Sequence, residues 1–234
     1  MITSVLPSVD ELHSDTLTNR TVVVIDAFRA SSCIVTALLH GASWVRPAET
    51  VSEAREQSGD GILTGGERFS KPLEGFDLGN SPADYASPAI RNKGIVMTTT
   101  NGTRALMKAS KASDILIGCF LNASACARVV QSLHRDVVFL CAGTRGHFSL
   151  EDGIAAGLIL HRLSALDPSL GVDDLGRALL HSWLSCRSHL WETLSQSQSG
   201  QRLIGRGHKQ DVMDCLQVDS CNAVPRWKEG YLTL

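Results

Sequence analysis

The chain has 234 residues, a formal net charge of -2, 43% hydrophobic residues, 20% charged residues and only 5% aromatics. Charge this close to neutral, with lysine and arginine scattered, excludes a nucleic-acid partner gripped through a basic face, and so few aromatics exclude a base-stacking platform. No apolar run reaches membrane-spanning length, and the acidic start (Asp10, Glu11, Asp15) lacks the basic and apolar regions of a signal peptide, so neither a membrane nor export is expected.

Seven cysteines, none in CxxC spacing, argue against a zinc site. Several lie in apolar runs, where a free thiol is a small core residue. A reducing, cytoplasmic compartment is the expectation. No linker divides the sequence, so residues 1–234 are expected to form a single domain.

Residues 1–20 are polar with scattered Val and Leu, and predict an N-terminal strand or covering arm. Val22–Ile25 is a β-branched run, as in a strand buried on both faces, and it ends at Asp26. Ser31 and Ser32 are cap candidates for a helix over Cys33–His40, stopped by Gly41. Trp44-Val45 predicts a short strand, Glu49–Gln57 a charged helix, and Ile62–Thr64 a strand leading into Gly65-Gly66-Glu67-Arg68. Phe69–Pro82 is rich in Gly and Pro and predicts a long loop; Leu73, Phe76 and Leu78 argue that it is ordered and functional. A short helix is expected within Ser81–Ala89.

A strand–turn–helix unit then recurs. Gly94–Lys108 is one, with the polar turn Thr98–Arg104 between strand and helix. Asp114–Ser132 is another, with Asn122-Ala-Ser124 as turn and cap. Asp136–Leu163 is a third, with the turn Gly143–Gly146 and a helix from Ser149. Asp173–Leu194 predicts a long helix, Ser195–His208 a loop, Asp211–Val218 a short helix and Ala223–Trp227 an extended tail. The Trp and Leu residues around Trp183–Leu194 make a homodimer an expectation.

Apolar strands each followed by a helix predict an α/β fold: a mostly parallel or mixed central sheet flanked by helices on both faces. Ligands of such sheets lie beyond the carboxyl ends of the strands. Asp26, Arg29, Thr98–Arg104, Asn122 and Gly143–Arg145 stand at those ends. Asp26, Glu67 and Asp77 are hard oxygen donors. Together with Arg29, Arg104, Arg145 and Gly-rich turns they have the composition of a site for phosphate and Mg2+. Each has a plain structural alternative. Asp26 could cap a helix or pair with Arg29, Glu67 could be a solvated loop carboxylate, and Asp77 could sit in an Asx turn. Ser149-Leu-Glu151-Asp152 reads as a capping box, with acids favoured in a first helical turn. Arg145 is a turn residue or an anion clamp, and His147 a structural residue or an acid. No P-loop, GxGxxG, G-x-S-x-G or HExxH is present.

Six ordered blocks resemble the 2-phosphosulfolactate phosphatase family. They are Val24–Ser32, Gly66–Arg68, Gly75–Pro82, Thr98–Arg104, Phe120–Ser124 and Cys141–Asp152. The likeness is close over residues 20–165 and looser through 211–225. The resemblance implies an α/β fold of that family's own and a Mg2+-dependent phosphatase. Its reaction converts 2-phospho-3-sulfolactate to 3-sulfolactate and phosphate, a step toward coenzyme M. On that footing Asp26, Glu67 and Asp77 are metal candidates. Arg29, Thr100, Asn101, Gly102, Thr103, Arg104, Asn122 and Arg145 are candidates for holding phosphate and further anionic groups. Two mechanisms stay open: attack by Asp26 on phosphorus, or attack by water with Glu151 or Asp152 as base. Two rivals remain as well. One is a non-hydrolytic binding protein for a phosphorylated or sulfonated metabolite; the other is a nucleotide-using transferase.

Overall fold

The structure is a computed structural model that describes residues 1–13 and 17–234. Among the described residues, eleven strands make one mixed sheet. They are β1 (Ile2–Leu6), β2 (Thr21–Ile25), β3 (Trp44–Pro47), β4 (Ile62–Arg68), β5 (Lys71–Pro72), β6 (Gly94–Thr98), β7 (Asp114–Ile117), β8 (Val137–Cys141), β9 (Gly171–Val172), β10 (Arg226–Lys228) and β11 (Tyr231–Thr233). Their order across the sheet is β5-β4-β6-β3-β11-β10-β7-β2-β8-β1-β9. Two blocks are parallel within themselves: β4-β6-β3, and β7-β2-β8-β1-β9. The antiparallel hairpin β10–β11 is wedged between them, with Leu232 opposite Val45 and Arg226 opposite Leu116. The parallel blocks follow from runs such as Thr21–Ile25 and Val137–Cys141, which are buried at every position and so need cover on both faces. The extended tail expected over Ala223–Trp227 runs into β10; beyond it the chain turns at Glu229-Gly230, and residues 226–233 complete the sheet's middle.

Among the described residues, ten α-helices supply the cover: α1 (Ala30–Leu39), α2 (Val51–Glu56), α3 (Pro82–Tyr85), α4 (Gly102–Lys108), α5 (Ala123–Leu133), α6 (Leu150–Leu166), α7 (Asp174–Cys186), α8 (Leu190–Ser195), α9 (Gln198–Ile204) and α10 (Lys209–Cys215). On one face, α1 and α4 pack Cys33, Ile34, Ala105 and Leu106 against Val22, Val24, Ile95, Met97 and Leu140. On the other, α5, α6 and α7 pack Val130, Ile159, Leu163 and Trp183 against Val23, Leu116 and Phe139. The smaller block has a cluster of its own, Ala48 and Ala54 against Val96. The arrangement is the α/β one predicted, with helices on both faces.

Several local expectations change. The N-terminal segment is an interior strand, β1, hydrogen-bonded to β8 and β9; the part of the predicted arm at 14–16 lies outside the described residues. Helix α1 starts earlier than Ser31 and Ser32 suggested, with Arg29 in the cap position. The hydroxyls of Ser31 and Ser32 instead bond the loop before it, Ser31 Oγ accepting from Asp26 N at 2.8 Å and Ser32 Oγ donating to Ala27 O at 3.0 Å. The predicted helix 173–194 is two helices, α7 and α8. The predicted loop 195–208 contains α9, whose N-cap Ser197 accepts from Gly200 N. Trp183 and Leu194, on which a homodimer was expected, are packed inside the protein's own core.

Candidate active site

The ends of four strands meet at one cavity. It is lined by Asp26 beyond β2, Glu67 on β4, Thr100 and Asn101 beyond β6, and Gly143, Thr144 and Arg145 beyond β8. The start of α6 adds Ser149, Glu151 and Asp152, and the loops add Phe28, Arg29, Phe69, Ser70 and Asn80. From the far end of the chain come Arg202, Leu203 and Arg206. Two glycines let the turns close up. A Cβ on Gly102 would lie 2.8 Å from Asp26 Oδ2 and 2.7 Å from the Ala30 Cβ. At Gly66, with φ +136°, a Cβ would lie 1.9 Å from the Thr98 carbonyl.

The carboxylates form the floor. Glu67 is buried; its Oε1 accepts from Thr100 N and Thr100 Oγ1, both at 2.9 Å, and Oε2 accepts from Ser70 N. Asp152 is also buried, accepting from Ala27 N at 2.8 Å and Gly143 N at 3.0 Å. It therefore bolts the turn after β2 to the turn after β8. Glu151 is buried beside it and accepts from Ser197 Oγ at 3.2 Å. The capping box read from Ser149–Asp152 does not form. Ser149 makes no capping bond and shares a hydrogen bond with Thr144 Oγ1 at 2.9 Å, while the Asp152 carboxylate is taken by the two turns.

This floor holds more negative charge than it can keep in isolation. Burial, then the neighbouring Glu67 and Glu151, push the Asp26 carboxyl from 3.8 up to about 7, against hydrogen bonding from Ala30 and the pull of Arg29. Burial, then Asp26 and Glu151, push Asp152 well above the usual carboxylate range. Arg29 does little to relieve them. It is buried, follows a cis Phe28–Arg29 peptide, and is ion-paired with Asp211 of α10. Asp211 also accepts from Ser81 Oγ at 2.7 Å and lies 3.3 Å from His208 Nδ1.

Asp26, Arg29, Glu67, Thr100, Asn101, Arg145, Glu151 and Asp152 thus share one cavity, and Gly102 abuts Asp26. The other sequence candidates are placed elsewhere. Asp77 accepts from Thr64 N at 2.8 Å and Thr64 Oγ1 at 2.9 Å, pinning the 69–82 loop to β4. Asn122 is fully buried; it accepts from Cys119 N and donates to the carbonyls of Ile117 and Ala223, at 2.8 to 3.0 Å. It ties the end of β7 to the segment before β10. Arg104 is half-exposed and paired with Asp10, and Thr103 is hydrogen-bonded within its own turn to Thr99. His147 is exposed and does not line the cavity. Sequence reading missed Arg202, Arg206, Asn80 and the partner role of Asp211. The signal for the first two is Ser197 three residues before Gly200, a cap for a helix in the Ser/Gln/Gly-rich stretch 195–208.

The donor set suits Mg2+. It consists of hard carboxylate oxygens with surplus negative charge. Among the described residues no three Asp, Glu, His or Cys groups already converge as a metal cage. Mg2+ does not need one, since it uses one or two carboxylates and takes its other ligands from water and substrate oxygens.

A family model described as 2-phosphosulpholactate phosphatase matches residues 6–230. Relatives named "probable 2-phosphosulfolactate phosphatase" are similar along nearly their whole lengths. One from Caldanaerobacter subterraneus subsp. tengcongensis is 40% identical over 95% of this chain and 94% of its own. One from Thermotoga petrophila is 40% identical over 92% of both chains. One from Clostridium beijerinckii is 33% identical over 98% of both. The match spans the strand ends that carry the carboxylates and the C-terminal helices that carry the outer arginines, and the chain belongs to the 2-phosphosulpholactate phosphatase family.

Proposed function

We propose that this protein is a Mg2+-dependent phosphomonoesterase that hydrolyses 2-phospho-3-sulfolactate to 3-sulfolactate and phosphate. One observation carries the reading: an acidic floor of Asp26, Glu67, Glu151 and Asp152 faces arginines in the same cavity. A floor with surplus negative charge calls for a cation, and guanidinium forks are the protein's usual partner for phosphate oxygens. Family membership supplies the reaction.

Asp26 and Glu67 are the residues to hold Mg2+. Bound there, the cation would neutralise charge on the phosphoryl oxygens and make phosphorus more open to attack. Thr100, whose N–H and hydroxyl both donate to Glu67, fixes that carboxylate, and Asn101 beside it orients the phosphoryl group. Arg29, kept from swinging onto the floor by Asp211, offers its charge to the oxygens that gain negative charge in the transition state. Glu151 takes the proton from the attacking water. Asp152 positions the turns and does not exchange protons with substrate, since both its oxygens accept backbone N–H groups. Seven free cysteines, six of them buried, accord with a cytoplasmic setting.

Phosphate release from 2-phospho-3-sulfolactate tests the reading. It should be abolished by EDTA and restored by Mg2+. Binding of the ester without release of phosphate would mark a non-hydrolytic binding protein instead.

A further inference from the structure

Four arginines line the cavity, and they are not equivalent. Arg29 is buried and its charge is met by Asp211. Arg145, Arg202 and Arg206 stand at the mouth, partly or largely exposed, and among the described residues none of the three is ion-paired with a carboxylate. Their contacts are ones that a ligand can replace. Arg145 lies over the Phe69 ring, 5.6 Å from its centroid. Arg206 donates to the Phe69 carbonyl, and Arg202 to Ser199 Oγ at 2.9 Å. Arg202 and Arg206 come from α9 and the turn after it, remote in sequence from every floor residue.

A transferred phosphoryl group has to sit against the floor, where Thr100, Asn101 and Arg29 meet Asp26 and Glu67. That placement leaves the outer guanidiniums with no anion of their own. A substrate with a carboxylate or sulfonate close to the ester oxygen would supply one. Planar, permanently charged forks suit such oxygens, and no existing ion pair has to be broken to receive them.

We propose that Arg202 and Arg206 are the residues that recognise the anionic groups of the substrate that are not transferred. The proposal rests on the phosphatase reading for what occupies the floor, but its test needs no turnover.

The test is calorimetric binding of 3-sulfolactate and of inorganic phosphate to Mg2+-loaded wild type, Arg202→Gln and Arg206→Gln, with KM and kcat for 2-phospho-3-sulfolactate alongside. Each variant should weaken 3-sulfolactate binding and raise KM at least tenfold. Phosphate binding, kcat and Tm should stay within threefold, threefold and two degrees of wild type. Unchanged 3-sulfolactate binding in both variants would overturn the proposal, as would equal losses for 3-sulfolactate and phosphate. Wild type that binds 3-sulfolactate but releases no phosphate would sink the hydrolytic reading while leaving the recognition role to be judged by the variants' binding alone.

Discussion

The floor and the mouth of the cavity are built on opposite plans. On the floor, each carboxylate of Glu67 and Asp152 is locked by backbone N–H groups from neighbouring strand ends, and the side chains are buried. At the mouth, arginines rest on a carbonyl, a hydroxyl and a ring face. Fixed dipoles and charges belong where bonds change, because they need no reorganisation during reaction. Loosely held groups belong where a ligand must enter and leave. On the function proposed above, chemistry falls to the first region and recognition to the second.

The harshest way to break the contrast is Asp26→Asn. It should lower kcat/KM at least 100-fold with saturating Mg2+, about 2.7 kcal/mol of transition-state stabilisation. The same change should stabilise the metal-free fold. Folding lifts the Asp26 pKa from 3.8 to about 7. The folded state then keeps a proton that the unfolded chain gives up, so stability falls as pH rises between those values and the penalty is complete above them. Thermal melts in EDTA should show Asp26→Asn above wild type at pH 8 and level with it at pH 4. A lower melting point at pH 8 would mean that the floor is not short of positive charge.

Asp211→Asn probes the join between the two regions. It removes the carboxylate that holds the buried Arg29 guanidinium in place, which should cost about 3 kcal/mol in a denaturant titration. It should also cut kcat/KM about tenfold as Arg29 turns toward the floor; Asp211→Glu should recover part of both. Asn122→Ala should lose about 2 kcal/mol of stability, since it leaves backbone groups of Cys119, Ile117 and Ala223 unmet. Its kcat per folded molecule should remain within threefold. The mildest change is Asp77→Asn. The Mg2+ concentration giving half-maximal activity should move less than twofold, because Asp77 is engaged with Thr64 away from the cavity. A larger move would extend the metal site beyond the floor.

The sequence carried the floor better than the mouth for a physical reason. A β-branched run that ends in Asp26, or a strand that breaks into Thr98–Asn101, announces a strand end, and strand ends are where such sheets bind. Polarity alone could not separate Asn122 and Asp77, which satisfy backbone groups, from Thr100 and Glu67, which line the cavity, because the same residue types serve both ends. The arginines at 202 and 206 were invisible for a different reason. Ser195–His208 has few apolar residues to set a helical period, and its helix is fixed by a cap and by packing of Leu203. The pairing of Arg29 with Asp211 spans 182 residues and leaves no local trace.

The wedged hairpin has a consequence for the order in which the molecule can be made. Strand β3 is 44–47 in sequence, yet its hydrogen-bonded neighbour is 231–233; strand β7 is 114–117 and waits for 226–228. Without those late residues no hydrogen-bonded strand pair would join the two half-sheets, and β3 and β7 would each present an open edge. Asp26 belongs to one half and Glu67 to the other. Both edges are templates for pairing with another chain until the hairpin covers them. Synthesis stalled before residue 226 should therefore yield a sticky, inactive fragment.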